Sequence, residues 1–150
     1  MEGLSKYLKK ENIEISLLGK TREELCMELL TLLEKGDEIQ DKNSILKSII
    51  TRDKVIDSHV GKGVVFVRLP LEKQKNISLV IGIKKEGLDE EVFDREKIKI
   101  FLIIITPDSG NEEYINLVSE MSNLLNQGSI REDILDAKDA ERVKKILLGQ

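Results

Sequence analysis

The chain has 150 residues, a formal net charge of −4, 40% apolar and 35% charged residues, and only 3% aromatics. It carries enough Ile, Leu and Val for a core, which excludes a disordered chain, while mixed charge without a basic patch and the lack of aromatic platforms argue against nucleic acid as a ligand. One cysteine, Cys26, leaves no internal disulfide, and no apolar run is long enough to span a bilayer, so the expectation is a soluble, cytoplasmic protein without membrane insertion.

No repeat, low-complexity tract or linker divides the sequence, and residues 1–150 are expected to form one domain. "GLSKYLKKENIEISLLG" reads as a short helix followed by a strand near Ile13 to Leu17. In "TREELCMELLTLLEKG", Thr21 and Glu24 make a capping box, Leu25, Leu29, Leu32 and Leu33 form one stripe, and Gly36 stops the helix. "DKNSILKSIITRDKV" is a second helix with Ile45, Leu46, Ile49 and Ile50 on one face. Three β-rich stretches follow: "VVFVRL", "ISLVIGI" and "IKIFLIIIT". The third is apolar almost throughout, as expected of a central strand covered on both faces. In "NEEYINLVSEMSNLLNQG", Tyr114, Leu117, Val118, Met121, Leu124 and Leu125 recur at helical spacing, and Gly128 ends the run. Ser129 and Glu132 offer another capping box, and "DAERVKKILLG" is a last short helix. The order predicts an α/β fold: a layered domain with a mixed β-sheet flanked by helices on both faces.

Chemistry-bearing residues are few. Gly61-Lys62-Gly63 lacks the spacing and the Ser or Thr of a phosphate-binding loop, and a Gly-rich turn opening a strand accounts for it. Cys26 lies on the apolar side of a helix and is expected to be buried and inert. One Cys and one His do not make a metal site, the acidic run "EGLDEEVFDREK" lacks a calcium-loop pattern, and neither a metal nor a cofactor is expected. His59, the only histidine, has the chemistry of an acid, base or nucleophile, but linear order assigns it no partner.

The stretch "ILKSIITRDKVIDSHVGKGVVFVRLP" resembles the signature region of the type-2 enzyme IIA domains of bacterial phosphotransferase systems, of the fructose, mannitol and nitrogen-regulatory kind. The family motif is roughly T-R-E-x-x-G-S-T-G-I-G-x-G-I-A-I-P-H, and its last histidine accepts a phosphoryl group from a small phosphocarrier protein. On this chain Thr51-Arg52-Asp53 fills T-R-E, Ser58 fills the threonine, and Val60 to Val64 fills I-G-x-G-I. Val67 then stands at the proline and Arg68 at the phosphoacceptor histidine, while His59 occupies a glycine position. "IKIFLIIITPDSGNEEYINLVSEMSNLL" is similar to the family's central strand, turn and following helix, with Tyr114 where a second histidine often stands. The closing "REDILDAKDAERVKKILLG" and the opening helix, strand and helix extend the likeness over almost the whole chain.

The resemblance implies a candidate site of Arg52, Ser58, His59, Arg68 and Tyr114. Arginine has no free lone pair with which to accept a phosphoryl group, but a guanidinium beside Arg52, Ser58 and the glycine-turn amides would suit an anion. Two functions follow. One is a non-catalytic regulatory or interaction module with a protein partner (a phosphocarrier-like protein, a transporter or a regulator) and a small anion as ligand. The other is an active phosphocarrier that uses His59. A homodimer is compatible with either. Arg68 as a plain surface residue, and Tyr114 as an amphipathic helix residue with a wet hydroxyl, remain alternatives.

Overall fold

The computed structural model describes residues 2–51, 56–89, 96–107 and 112–150, with residues 2 and 56–60 described by their backbone alone. Its elements are α1 (Glu2–Ser5), a 3-10 turn (Lys10–Asn12), β1 (Ile13–Glu14), α2 (Arg22–Lys35), α3 (Lys42–Thr51), β2 (Ile56–Gly61), β3 (Val64–Leu71), β4 (Ser78–Leu88), β5 (Ile98–Pro107), α4 (Glu112–Leu125), α5 (Gly128–Asp136) and α6 (Ala140–Leu147). The strands form one mixed sheet in the order β1-β4-β5-β3-β2. β5 runs antiparallel to β4 and parallel to β3, β1 is parallel to β4, and β2 and β3 form an antiparallel hairpin.

The unbroken apolar run of β5 is thus the middle of the sheet, as its composition predicts. Alternation divides it between two cores. Ile100, Leu102 and Ile104 pack with Val64, Phe66 and the helices α1, α4, α5 and α6. Phe101, Ile103 and Ile105 pack with Val65, Val67 and Leu69 beneath α2 and α3. Each fully buried side chain of this kind contributes about 1.5–3 kcal/mol.

Local chemistry explains the element ends. The Thr21 hydroxyl caps α2 by accepting from the Glu24 amide at 3.1 Å. The Glu24 carboxylate returns to the Lys20 amide at 3.0 Å, one residue beyond the reciprocal partner of an ideal capping box. Glu28 accepts from the amides of Leu18 and Gly19 at 2.8 and 2.7 Å. The strand expected to reach Leu17 ends at Glu14, although the Leu17 amide still donates to the Ile83 carbonyl of β4 at 3.0 Å before the carboxylates take up the amides that follow. At the far end of α2, Gly36 keeps a negative φ, and Asp37 takes the left-handed conformation at φ 58°. Asp tolerates that region better than most residues. α5 corrects another expectation. It starts at Gly128 with Gln127 at the cap position and no side-chain cap bond, so Ser129 falls inside the first turn. The Gln127 side chain instead donates through Nε2 to the Asn123 carbonyl at 3.3 Å. Asp139, capping α6 through the Arg142 amide at 2.8 Å, is the true side-chain cap in this region.

The Gly-Lys-Gly segment is the tight turn of the β2–β3 hairpin. Gly61 pairs with Val64, and Lys62 and Gly63 bridge them with φ of 55° and 81°. Two positive φ values in a two-residue loop are the type I′ geometry that matches the strand twist. The Gly63 carbonyl accepts from the amides of Lys99 and Ile100 at 2.8 and 3.1 Å, which docks the turn on β5. A Cβ on Gly63 would lie 2.7 Å from the Lys97 carbonyl oxygen. Gly63→Ala therefore meets both strain and a backbone clash, and is expected to cost about 2–4 kcal/mol. Gly149→Ala has a similar φ of 75° but open space and is expected to cost about 1 kcal/mol or less. Urea unfolding of the two variants checks the order, and equal losses would reject the docking role of the turn.

Candidate functional site

Arg52 lies outside the described residues. Ser58 and His59 sit in β2, Arg68 in β3 and Tyr114 in the first turn of α4. The ladder pairs Ser58 with Phe66, His59 with Val65 and Ile56 with Arg68. Paired positions of an antiparallel ladder belong to one face, and successive positions alternate. The register positions of Ser58 and Arg68 consequently share the face of Phe66, and that of His59 belongs to the face of Val65. Phe66 lies in the core beneath α4, and half-buried Tyr114 packs against that same core. Ser58, Arg68 and Tyr114 are therefore assigned to one side of the sheet and His59 to the other.

Arg68 is half-buried, yet its Nε is shielded from water and has no hydrogen-bond partner among the described residues. A buried donor left unpaired costs about 1–3 kcal/mol. A guanidinium offers donors only. Nothing about this side chain permits nucleophilic attack, while its geometry suits an oxyanion.

Beside Tyr114, Glu113 accepts hydrogen bonds from the Tyr7 hydroxyl and, at 2.8 Å, from Lys6 Nζ. The Lys6 ammonium also lies 5.5 Å from the Tyr7 ring centroid. This cluster ties α1 to the start of α4. A second cluster surrounds Glu38, which accepts from buried Asn12 at 2.6 Å and buried Ser78 at 3.0 Å. Both clusters edge a cleft of about 970 Å³ at the carboxyl ends of β3 and β5, and neither Arg68 nor Tyr114 lines it. Sequence reading singled out none of these groups. Tyr7 and Glu113 are 106 positions apart, and no local pattern announces such a pair.

The sequence profile of "Phosphoenolpyruvate-dependent sugar phosphotransferase system, EIIA 2" matches residues 6–149. The chain belongs to that family. EIIA domains are phosphocarriers, and the fold assigned here is the one seen in solved relatives. The nitrogen regulatory protein IIA-Ntr of Neisseria meningitidis superposes with a TM-score of 0.84 at 20% identity, covering 95% of this chain and 97% of that one. Enzyme IIA of the Escherichia coli mannitol system, solved in complex with phosphorylated enzyme IIB, gives 0.76 at 18% identity, covering 95% and 98%. Among curated relatives, the fructose-specific EIIABC component of Bacillus subtilis is 22% identical over 144 residues, 96% of this chain but 23% of that protein. This EIIA domain therefore spans about a quarter of that relative. The fructose-specific EIIA component of Haloferax volcanii is 23% identical over 127 residues, 85% of this chain and 82% of its own length. Among the described residues, no helix of the EIIA domain is long and apolar enough to cross a membrane, and no group of three or more His, Cys, Asp or Glu is placed to hold a metal.

The Tyr7–Glu113 bond is partly buried, whereas the Lys6–Glu113 pair is exposed. Tyr7→Phe should thus lower stability by about 1–2 kcal/mol, as for a hydrogen bond to a charged acceptor, and Lys6→Ala by less than about 0.5 kcal/mol. Denaturant unfolding in low salt measures both, and the reverse order would mean that charge rather than the buried hydroxyl holds α1 to α4.

Proposed function

We propose that this EIIA domain does not accept a phosphoryl group at the family position and serves as a regulatory or interaction module that binds an anion at Arg68. The observation that carries the reading is the half-buried Arg68 guanidinium, at the motif position of the acceptor histidine, with an Nε that has no partner among the described residues. The register supports it by grouping Ser58 with Arg68 on the side where Tyr114 packs. Arg52, from the T-R-D segment, completes the anion site in this reading. The partner is a protein of phosphocarrier, transporter or regulator type, and residues 1–150 act as one cytoplasmic domain. That a solved relative is in complex with phosphorylated enzyme IIB makes a phosphorylated protein a reasonable source of the anion. A phosphocarrier using His59 is the weaker reading, because the register assigns His59 to the face opposite Arg68.

Inorganic phosphate tests the anion site. At a concentration about tenfold above its dissociation constant, a ligand adds about 1.4 kcal/mol of stability, or roughly 3 °C in melting temperature for a chain of this size. Arg68→Ala should abolish that gain. Arg68→Met, which removes the unpartnered Nε but keeps the aliphatic packing, should leave phosphate-free stability unchanged or raise it by about 1 kcal/mol. No stabilisation of the unmutated protein by phosphate, or equal stabilisation of Arg68→Ala, would sink the reading.

A further inference from the structure

The sheet ends in two unequal edges. On one side β1 is only two residues long, which blunts that edge. On the other side β2 runs over six residues, pairs with β3, and has no described strand beyond it. Alternate residues of such an edge direct their backbone amides and carbonyls outward, where another strand can pair with them. Edges of this kind are commonly guarded by lysine or proline, and the run Ile56–His59 holds neither. The irregularity between His59 and Gly61 lies at the turn end of the strand.

The sequence of this edge is complementary to itself. Read from Ile56 to Val60 it runs apolar, acid, serine, base, apolar. A two-fold axis normal to the sheet joins two copies of β2 antiparallel and keeps each face of the sheet on its own side. Paired positions share a face, so the axis passes through a residue and not between two. On Asp57 it would set two carboxylates opposite each other, and on His59 two imidazoles; like charges in that relation are destabilising. On Ser58 it sets Asp57 of each copy opposite His59 of the other, and Ile56 toward Val60. The ladder assigns Asp57 and His59 to one face, that of Val67 and Val65, so both acid–base pairs fall on the same side of the joined sheet.

We propose that β2 is a self-association edge: two copies of this chain pair antiparallel through Ile56–Val60 about an axis at Ser58, and the sheet continues from one copy into the other. Main-chain hydrogen bonds supply the attraction, and the Asp57–His59 pairs set the register. The occupant is a second copy because the charge pattern complements itself only in antiparallel order. A contact this short belongs to the weak, transient class, below about 1,200 Å², so the dimer dissociates in the micromolar-to-millimolar range. The proposal does not rest on the anion reading, since Asp57 and His59 are assigned to the face opposite Arg68.

Sedimentation velocity tests it, at low salt and at about pH 6, where a free imidazole is mostly protonated. From about 10 μM to about 1 mM the unmutated protein is expected to shift from monomer toward dimer. Asp57→Lys and His59→Glu each set like charges opposite each other across the axis, and each is expected to weaken the dimer at least about tenfold. An equimolar mixture of the two variants is expected to associate again. In the mixture the introduced lysine faces the introduced glutamate, while His59 of one chain faces Asp57 of the other. Both variants keep a formal negative charge, from −4 for the unmutated chain, so recovery reports the pairing and not a bulk attraction. Should a variant fail to fold, amide hydrogen exchange of the unmutated protein decides: protection of residues 57–59 is expected to rise with protein concentration. The proposal is overturned if the protein stays monomeric up to about 1 mM, if either folded variant associates as well as the unmutated protein, if the mixture of folded variants does not recover, or if protection at 57–59 is independent of concentration. None of these readouts uses phosphate or Arg68, so failure of the self-association edge and failure of the anion site are distinguishable.

Discussion

Eight of the ten residues of β5 are kept from water, and that requirement arranges the rest of the chain. A strand with Ile100, Leu102 and Ile104 on one face and Phe101, Ile103 and Ile105 on the other cannot lie at an edge or face solvent. It needs a neighbour on each side and helices above and below. β3 and β4 supply the neighbours, one parallel and one antiparallel. Once β3 lies beside β5, the turn at Lys62 and Gly63 fixes one end of β3 against the start of β5, and Arg68 is carried toward the opposite end. Packing thus decides where the chemistry-bearing residue stands.

That same packing makes the identity of residue 68 consequential. The face it shares with Phe66 belongs to the core under α4, where a charged side chain is retained only with its polar atoms matched or at a cost in stability. A histidine there would be able to lose its charge; an arginine has no such option. The belonging to the EIIA family accounts for the backbone around this position. In the proposed reading, the side chain gives the position a different repertoire, recognition of an anion without covalent transfer.

Much of the fold was legible because its signals are local or periodic. The continuous run of β5 announced a doubly covered central strand, Thr21 announced the start of α2, and the Gly-Lys-Gly segment announced a turn rather than a phosphate loop. What escaped the sequence depends on contacts across the chain. The strand at Ile13 ends at Glu14, with only the Leu17 amide returning to the Ile83 carbonyl of β4 before Glu28 takes the next two amides. Ser129 looked like a cap, but the helix begins one residue before it. The clusters around Glu38 and Glu113 join residues far apart in the chain, so neither they nor the cleft they edge had a sequence signal. At the candidate site, the likeness to the EIIA motif brought five residues together, but it did not set their phase. A one-residue shift in register exchanges the faces of a strand, and the irregularity between His59 and Gly61 cannot be read from residue types. Only the ladder assigns Ser58 and His59 to opposite faces.

The central claim is that an EIIA fold is here paired with a position 68 that binds an anion and accepts no phosphoryl group. Phosphoryl transfer tests it most directly: incubate the protein with phosphoenolpyruvate, enzyme I and the histidine phosphocarrier, and follow its intact mass under conditions that preserve phosphohistidine. The account predicts no added phosphoryl group, whether or not the phosphocarrier is itself phosphorylated. Stoichiometric phosphorylation that disappears in His59→Ala would contradict it and make His59 the acceptor.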